Sequence, residues 1–318
     1  MSNHTTVAAG IDTGKDKLDV AIDGSDRGLQ VNNDAAGHRS LLVWLRQHGV
    51  TRVGIEASGG YERAVVAQLR GNGFTVIVFQ PIQVRAYATF RLQRAKNDKI
   101  DAALIAACTT AGEDKIRPAP DPRFAAFAEH LTLIEQVEED IVRYKTRREA
   151  FLDKTNLQLI ENEIVRLRAG RRRELKRLHD ALCAHADLNQ RLKLVRSIPG
   201  IGERTALALL VRMPELGSIS REQAAALAGL APYDKDSGHL TGQRHIAGGR
   251  KRLRKSVYAA ALPAAFHWNP ALIALYRRLI TAGKPHKLAL VACARKLVIF
   301  ANTVLTRGTP WTDRTAIA

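Results

Sequence analysis

The sequence predicts an α/β domain at the N-terminus, a long helical arm in the middle and a mainly α-helical domain at the C-terminus. Short β-rich runs alternate with helical runs over the first hundred residues. Residues 124–195 contain no proline and a single glycine, which is typical of long helices. The proline-rich segment RPAPDPR precedes this stretch, and a new pattern begins with SIPGIG. We therefore expect domains at residues 1–116, 124–195 and 196–318.

The first domain begins with strand-like runs. Residues 7–12 and 18–23 are β-rich and flank TGKDK, which suits a hairpin turn. The remaining predicted elements are, in order, a strand at 29–32, a helix at 38–48, a strand at 52–57, a helix at 61–72, a strand at 74–79, and helices at 82–88 and 97–111. Three strands followed by helix, strand, helix, strand and helix is the order of an RNase H-like fold.

The middle stretch has apolar residues at helical spacing, for example Ile134, Val137 and Ile141, with acids and bases between them. This pattern predicts two long helices that form a coiled-coil arm, with the turn at Ala169–Gly170. A helical bundle within one chain fits the same periodicity. The basic run 171–173 favours an arm that oligomerises or holds RNA.

The charge is strongly positive and unevenly distributed. Lys and Arg number 49 against 31 Asp and Glu, a net charge of +18. From Ser237 onward, fourteen bases face one acid, Asp313, so this region carries +13 of the total. Such a surplus favours a polyanionic partner, because each neutralised phosphate releases counterions.

Other classes of protein are disfavoured. The three cysteines are far apart and form no CxxC pair, which argues against a zinc site or a disulfide framework and fits a reducing cytoplasm. The N-terminus lacks the pattern of a signal peptide. The apolar stretch 288–305 has Arg295 and Lys296 in its middle, which predicts a core helix and no membrane span.

Four acids occupy positions that suit a metal site. Asp12, in GIDTGKDKLDVAI, and Glu56, in VGIEASGGYE, end predicted strands. Asp98 and Asp101, in KNDKIDA, share one face of a predicted helix. Such hard oxygen ligands could hold two Mg²⁺ or Mn²⁺ ions. Each acid alone is commonly a turn or cap residue, so the hypothesis depends on the set as a whole.

The PGIG turn at Pro199–Gly202, between two helical segments, resembles a helix-hairpin-helix. Gly200 and Gly202 would let backbone N–H groups approach a phosphate at a helix N-terminus. A plain interhelical turn is equally consistent with these residues.

The segment GLAPYDKDSGHLTGQRHIAGGRKRLRK combines glycine, bases and a serine. Ser237 is either a solvated turn residue or a nucleophile. His239 and His245 are possible proton carriers, although solvated or phosphate-binding histidines are the commoner case. The bases of the segment would bind nucleic acid; they are Arg244, Arg250, Lys251, Arg252, Arg254 and Lys255. Arg244, Arg250 and Arg252 could also stabilise phosphoryl-transfer charge.

The segments GIDTGKDKLDVAI, GIEASGGYE, KNDKIDA, SIPGIGERTA and GLAPYDKDSG together resemble the transposases of the one-ten insertion-sequence family, over nearly the whole chain and in the right order. The resemblance implies a RuvC-like N-terminal domain and a C-terminal transposase domain whose Ser237 attacks the DNA strand. The DEDD set of the family would be Asp12, Glu56, Asp98 and Asp101. The sequence around the serine, DKDSGHL, is more charged than the glycine-rich form typical of the family.

The resemblance also implies partners: donor and target DNA, a guide (bridge) RNA encoded in the element, and further copies of the chain in a dimer or tetramer. We therefore expect a cytoplasmic, nucleoid-associated recombinase that works through a covalent phosphoserine and needs no ATP. A metal-dependent DNA junction nuclease that uses the four acids and water is the nearest alternative. A basic nucleic-acid-binding scaffold without activity is a third.

Overall fold

A computed structural model describes residues 7–92, 98–112, 121–233 and 244–312 of the chain, with the backbone alone for Asp98 and Lys99. The chain divides into two compact units, residues 1–119 and 120–318. The first is a mixed α/β unit with a five-stranded sheet, and the second is largely helical.

Unit 1 follows the predicted order of elements, with boundaries shifted by at most three residues. Its elements are β1 (Val7–Thr13), β2 (Lys17–Ile22), β3 (Gly28–Asn32), α1 (Ala35–Gln47), β4 (Val50–Glu56), α2 (Arg63–Gly71), β5 (Thr75–Phe79), α3 (Pro81–Phe90) and α4 (Asp98–Ala111). The sheet order is β3-β2-β1-β4-β5, with β1 antiparallel to β2 and parallel to β4. The predicted hairpin turn closes through the Gly14 N–H, which donates to the Lys17 carbonyl (2.9 Å).

Helices cover both faces of this sheet. On one face, Ile11 and Ile55 pack in a core with apolar residues of α1 and α2. On the other face α4 crosses β1 and β4 at two glycines that are register partners, Gly10 and Gly54. A Cβ at Gly10 would lie 2.2 Å from the backbone nitrogen of Ala106. The absence of side chains at these glycines therefore sets how closely α4 lies on the sheet.

Unit 2 contains helices and one short two-stranded ribbon. Its elements are α5 (Arg123–Arg148), α6 (Lys154–Cys183), α7 (Ala186–Arg196), α8 (Glu203–Arg212), α9 (Arg221–Leu227), β6 (Pro232–Tyr233), β7 (His245–Ile246), α10 (Lys251–Pro263), a π-helix (Ala264–Trp268), α11 (Pro270–Thr281) and α12 (His286–Arg307). Residues of α5 and α6 share one apolar core with residues of α7, α8, α10 and α12.

The predicted turn at Ala169–Gly170 is wrong, because α6 continues through both residues. A glycine inside a helix costs about 1 kcal/mol relative to alanine, which the packing of a long helix outweighs. The chain instead reverses at residues 149–153, between α5 and α6. Asp153 starts α6 as an N-cap, since its carboxylate accepts a hydrogen bond from the Asn156 N–H (2.9 Å).

α12 is the helix of the described residues that is long and apolar enough to cross a membrane by length and composition. Its apolar side chains, including Leu290, Leu297 and Val298, are buried in the core of unit 2, as predicted. The cysteines are free thiols. Burial raises the pKa of Cys293 on α12 to about 11, so this thiol stays protonated within the core.

Candidate functional site

Asp12 and Glu56 occupy neighbouring parallel strands of unit 1. β1 and β4 pair in register as far as Ile11 opposite Ile55, so the next position on each strand is an acid. Both acidic side chains are half-buried. The structure thus places the two acids side by side near the C-terminal ends of β1 and β4, as the sequence predicts.

Both acids lie on the face of the sheet that α4 covers. Side chains on a strand alternate between faces, and the glycines two residues before each acid, Gly10 and Gly54, contact α4 directly. The first turn of α4 carries the backbone of Asp98 and the half-buried Asp101. All four predicted acids therefore belong to the same side of the sheet.

The chemistry of this set suits a hard divalent cation, because carboxylate oxygens are the ligands that Mg²⁺ and Mn²⁺ prefer. Among the side chains that the structure describes, which include Asp12, Glu56 and Asp101 but not Asp98, no three His, Cys, Asp or Glu groups are close enough to hold one ion. The acids match a divalent-metal site in donor type and in the face that they share.

A polar network joins the loops that follow the two strand ends. Asn33 Nδ2 donates to the Gly14 carbonyl (2.9 Å) after β1 and to the Tyr61 carbonyl (3.1 Å) after β4. Since this amide nitrogen is the donor, Asn33 Oδ1 accepts from His38 Nε2–H (2.8 Å). Burial lowers the pKa of His38 against the opposing effect of Asp34, and so favours the neutral imidazole, whose Nε2–H can donate this bond.

Glu62 shapes the loop after Glu56, a role that the sequence analysis missed. Its carboxylate accepts hydrogen bonds from the Ser58 N–H (3.1 Å), the Ser58 hydroxyl (3.2 Å) and the Gly60 N–H (2.9 Å). Burial alone would raise the pKa of Glu62, but hydrogen bonds from the backbone and Ser58 outweigh it and lower the pKa. The available signal was the second acid of GIEASGGYE.

Asp19 is a second residue that the sequence analysis missed. It lies directly opposite Asp12 on β2, and therefore on the same face of the sheet. Its buried carboxylate accepts a hydrogen bond from Gln30 Nε2 (2.6 Å) and lies 3.1 Å from Lys17 Nζ. The signal was an acid inside the strand KLDVAI, where its neighbours are apolar.

Ser237 lies in residues 234–243, outside the described residues, as does His239. The strands on either side of this segment are described: β6 and β7 pair antiparallel, with Pro232 opposite Ile246 and Tyr233 opposite His245. The serine segment therefore connects two paired strands of a ribbon.

The base of this ribbon is fixed by Arg254 and by close glycine contacts. Arg254 Nη1 donates to the Gly229 carbonyl (3.1 Å), before β6, and to the Gly248 carbonyl (2.9 Å), after β7. Gly249 has a φ of +68°, and a Cβ there would lie 2.2 Å from the Gly229 nitrogen. Arg254, which the sequence analysis predicts to bind nucleic acid, thus holds the two ends of the ribbon together.

The PGIG turn joins α7 to α8, so the predicted helix–turn–helix order is present. Gly200 has a φ of +94°, and a Cβ there would lie 2.3 Å from the Ala264 Cβ, so this glycine serves packing. Gly202 is exposed at the N-terminus of α8, with open space where a Cβ would stand. Of the two glycines, Gly202 is the one that a phosphate can approach.

Most of the predicted bases of α10 are engaged within unit 2. Arg250 forms a bidentate pair with Glu215 (2.9 and 2.6 Å). Arg252 Nη1 lies 3.1 Å from Glu135 Oε2, and Lys255 Nζ approaches another acid of α5 at 3.6 Å.

Glu135 is the centre of this charged group. It is only 6% exposed, and its carboxylate also lies 2.7 Å from Arg212 Nη2 and 3.5 Å from Arg204 Nη2. Leaving a buried carboxylate without its cationic partners is costly, so Arg204, Arg212 and Arg252 have a structural role.

Three of the predicted bases are exposed: Arg244, Lys251 and Lys255. Lys251 is exposed and has no ion pair within the part of the chain that the structure describes. Arg244 is exposed at the start of β7.

The bases of α11 and α12 are placed differently from those of α10. Arg277, Arg278, Lys284 and Lys287 are exposed, and none has an ion pair among the described residues. The sequence contains no acid between residues 251 and 312.

Known proteins resemble the chain over most of its length. One family sequence model, described as a transposase, matches residues 9–157, and a second, described as the transposase IS116/IS110/IS902 family, matches residues 192–277. The pilin gene-inverting proteins of Moraxella bovis and Moraxella lacunata are each 26% identical, covering 96% of this chain and 97% of the relative. A 43.6 kDa protein of insertion element IS110 from Streptomyces coelicolor is 33% identical over 38% of this chain and 30% of that protein.

Proposed function

Because the chain belongs to the IS110 family of transposases, we propose that it excises and inserts DNA with the carboxylates of unit 1 and a serine of unit 2. The similarity to this family indicates that the chain is a DNA transposase or recombinase. The Moraxella relatives are named for inverting a gene, a rearrangement in which strands are cut and then rejoined. Their alignment over nearly the full chain supports rejoining as part of the reaction here.

The observation that carries the proposal is the register that sets Asp12 beside Glu56 on the face covered by α4. We assign Asp12, Glu56, Asp98 and Asp101 as ligands of Mg²⁺ or Mn²⁺, which would stabilise charge on the oxygens of the scissile phosphate. The sheet order, with β1 antiparallel to β2 and parallel to β4, supports an RNase H-like (RuvC-like) assignment for unit 1.

Ser237 is the nucleophile of the proposed reaction. The serine hydroxyl loses its proton as its Oγ bonds to the scissile phosphorus. The bond from phosphorus to one deoxyribose oxygen breaks, and the released oxygen takes up a proton. A DNA hydroxyl then attacks the same phosphorus and releases the serine. The number of phosphodiester bonds is conserved, so no ATP is needed. Arg254 and Gly249 fix the base of the ribbon, and so they hold together the two strands that flank the segment with Ser237.

A guide RNA and self-association complete the proposal. The net charge of +18 supports binding of more than one nucleic-acid strand. The end of the α5–α6 arm exposes apolar side chains, which supports contact with another copy; they are Val142, Phe151, Leu152, Leu159 and Val165. A complex of this kind would act in the cytoplasm, on the nucleoid.

The proposal is tested by trapping the covalent adduct with labelled donor DNA under denaturing conditions. Wild type is expected to give a slowly migrating, protease-sensitive species, and Ser237→Ala none. Thr241→Ala is the matched control, because it removes a neighbouring hydroxyl of the same segment, and peptide mapping identifies the attacking residue. If Ser237→Ala cleaves and rejoins DNA as well as wild type does, the serine mechanism is wrong and the junction-nuclease alternative replaces it.

The carboxylate assignment has its own test. Asp101→Asn is expected to abolish recombination while the chain remains folded, because an amide supplies less charge to a hard cation. Asp16→Asn is the matched control, since Asp16 is an exposed acid in the turn after β1. Full activity of Asp101→Asn in Mg²⁺ would remove this residue from the site.

A further inference from the structure

Two aromatic side chains of the π-helix in unit 2 are exposed. Trp268 is 64% exposed and Phe266 is 38% exposed. Phe266 contacts the ring of Tyr276 edge-on (5.0 Å between centroids) and stacks parallel to His286 (6.3 Å, 11°). The rings of Phe266, Tyr276 and His286 are in contact, and Trp268 is exposed two residues after Phe266 on the π-helix. We call these four residues the aromatic platform.

The platform is held in place by neighbouring elements. The Tyr276 hydroxyl and His286 Nδ1 are hydrogen-bonded at 2.7 Å, which ties α11 to the start of α12. Asn269, directly after Trp268, is fully buried and donates from Nδ2 to the Pro199 carbonyl of the PGIG turn (3.0 Å). The backbone beside Trp268 is therefore fixed, so a ligand would cost little ordering on binding. π-helical turns are rare and are frequently found at functional sites.

The charged residues that flank the platform in the sequence are of one sign. Arg277 and Lys287, each next in sequence to a platform residue, and Lys284 are exposed and have no ion pair in the described ranges. No acid occurs in this part of the sequence. An aromatic surface with bases and without acids matches a ligand that offers flat apolar rings and regularly spaced negative charge.

We propose that the aromatic platform binds unpaired nucleotides, with bases stacked on Trp268 and Phe266 and phosphates facing Arg277, Lys284 and Lys287. The inference rests on the proposed function, because strand exchange exposes unpaired nucleotides. Stacking on an aromatic ring requires a base that is not paired in a duplex, which distinguishes this surface from one that binds duplex backbone. Single-stranded DNA and single-stranded RNA share this chemistry, and the experiment separates them.

The test measures binding of the full-length chain to four probes: a single-stranded DNA, a single-stranded RNA of the same length, and a counterpart of each with abasic sugars in the central positions. Wild type is expected to bind a normal strand about ten-fold more tightly than its abasic counterpart, the scale of stacking by one aromatic residue. Trp268→Ala is expected to lose this preference while binding to the abasic strands is unchanged. If the ratio of normal to abasic affinity is larger for DNA, the platform binds single-stranded DNA; if it is larger for RNA, the platform binds single-stranded RNA.

Two variants control for general damage. Trp268→Phe keeps an aromatic face and is expected to retain most of the preference. Ile280→Ala shortens another exposed apolar side chain, on α11, and is expected to leave binding unchanged. The inference is wrong if Trp268→Ala keeps the full preference for normal over abasic strands. It is also wrong if wild type binds normal and abasic strands equally well, both as DNA and as RNA. A Ser237-dependent adduct formed in the same preparations would show that the proposed function stands without it.

Discussion

The two basic regions of unit 2 have similar composition and different physical roles. At the start of α10, the N-cap residue Arg250 and Arg252 bind acids of the unit, and Arg254 binds two backbone carbonyls. On α11 and α12, the exposed bases form no ion pair with the residues that the structure describes, and aromatic side chains lie next to them in the sequence. A count of charges along the sequence treats the two regions alike. The comparison teaches that a base identifies a nucleic-acid surface only when the fold leaves it unpaired.

The largest expected effect tests whether the α10 region is structural. Gly249→Ala places a Cβ against the backbone of Gly229, whereas Gly248→Ala, at a φ of +63°, meets open space. Both substitutions cost about 1–2 kcal/mol for a left-handed backbone. Gly249→Ala adds an overpacking cost of about 1–3 kcal/mol. Chemical denaturation of the full chain measures the free energy of unfolding of both variants. If the two variants lose equal amounts, the contact between the two ends of the ribbon is unimportant.

The next effect concerns Arg254. Arg254→Met removes the donor that holds Gly229 and Gly248 together, so formation of the Ser237 adduct is expected to slow at least ten-fold, while binding to single strands stays unchanged. Lys251→Met, which removes the exposed base three positions earlier, is the matched control and should not slow the adduct at saturating DNA. A parallel loss of binding and adduct in Arg254→Met would return Arg254 to the phosphate-binding role predicted from the sequence.

A third prediction compares the salt dependence of binding. The double variant Arg277→Gln and Lys287→Gln is expected to reduce the slope of log K against log salt by about 1.4 for single strands, about 0.7 for each lost phosphate contact. Arg250→Gln is expected to leave the slope unchanged and to lower the free energy of unfolding by about 1 kcal/mol, because it breaks the bidentate pair with the partly exposed Glu215. Titration at several salt concentrations, with denaturation of each variant, distinguishes the two regions. Their roles would be reversed if Arg250→Gln changed the slope and the double variant did not.

The smallest expected effect tests whether ion pairing or position on α10 decides the role of a base. Lys251 is at the start of α10 yet exposed and without an ion pair in the described part of unit 2. If pairing decides the role, Lys251→Gln should reduce the slope by about 0.7 and leave stability within about 0.5 kcal/mol of wild type. A variant that lost stability with no change of slope would show that position on α10 decides instead.

The strands and helices of unit 1 were predictable because their signals are local. Alternating apolar residues and the TGKDK turn specify β1 and β2 within a few residues of their observed bounds. The side-by-side placement of Asp12 and Glu56 also followed from the order of elements, since parallel neighbours end at the same edge. Asp19 and Glu62 were missed because their importance depends on contacts with Gln30 and with the loop after β4, which no spacing rule reveals.

The sequence by itself determined the class of elements, the basic character of the C-terminal region and the presence of four acids at strand and helix ends. Only the tertiary structure decided which bases are paired, because Glu135 on α5 and Arg252 on α10 are far apart in sequence and meet through helix packing. It likewise decided that the chain reverses at residues 149–153 and that α6 continues through Gly170. The physical reason is the same in both cases. Local propensities amount to about 1 kcal/mol per residue, and packing of helices that are distant in the sequence outweighs them.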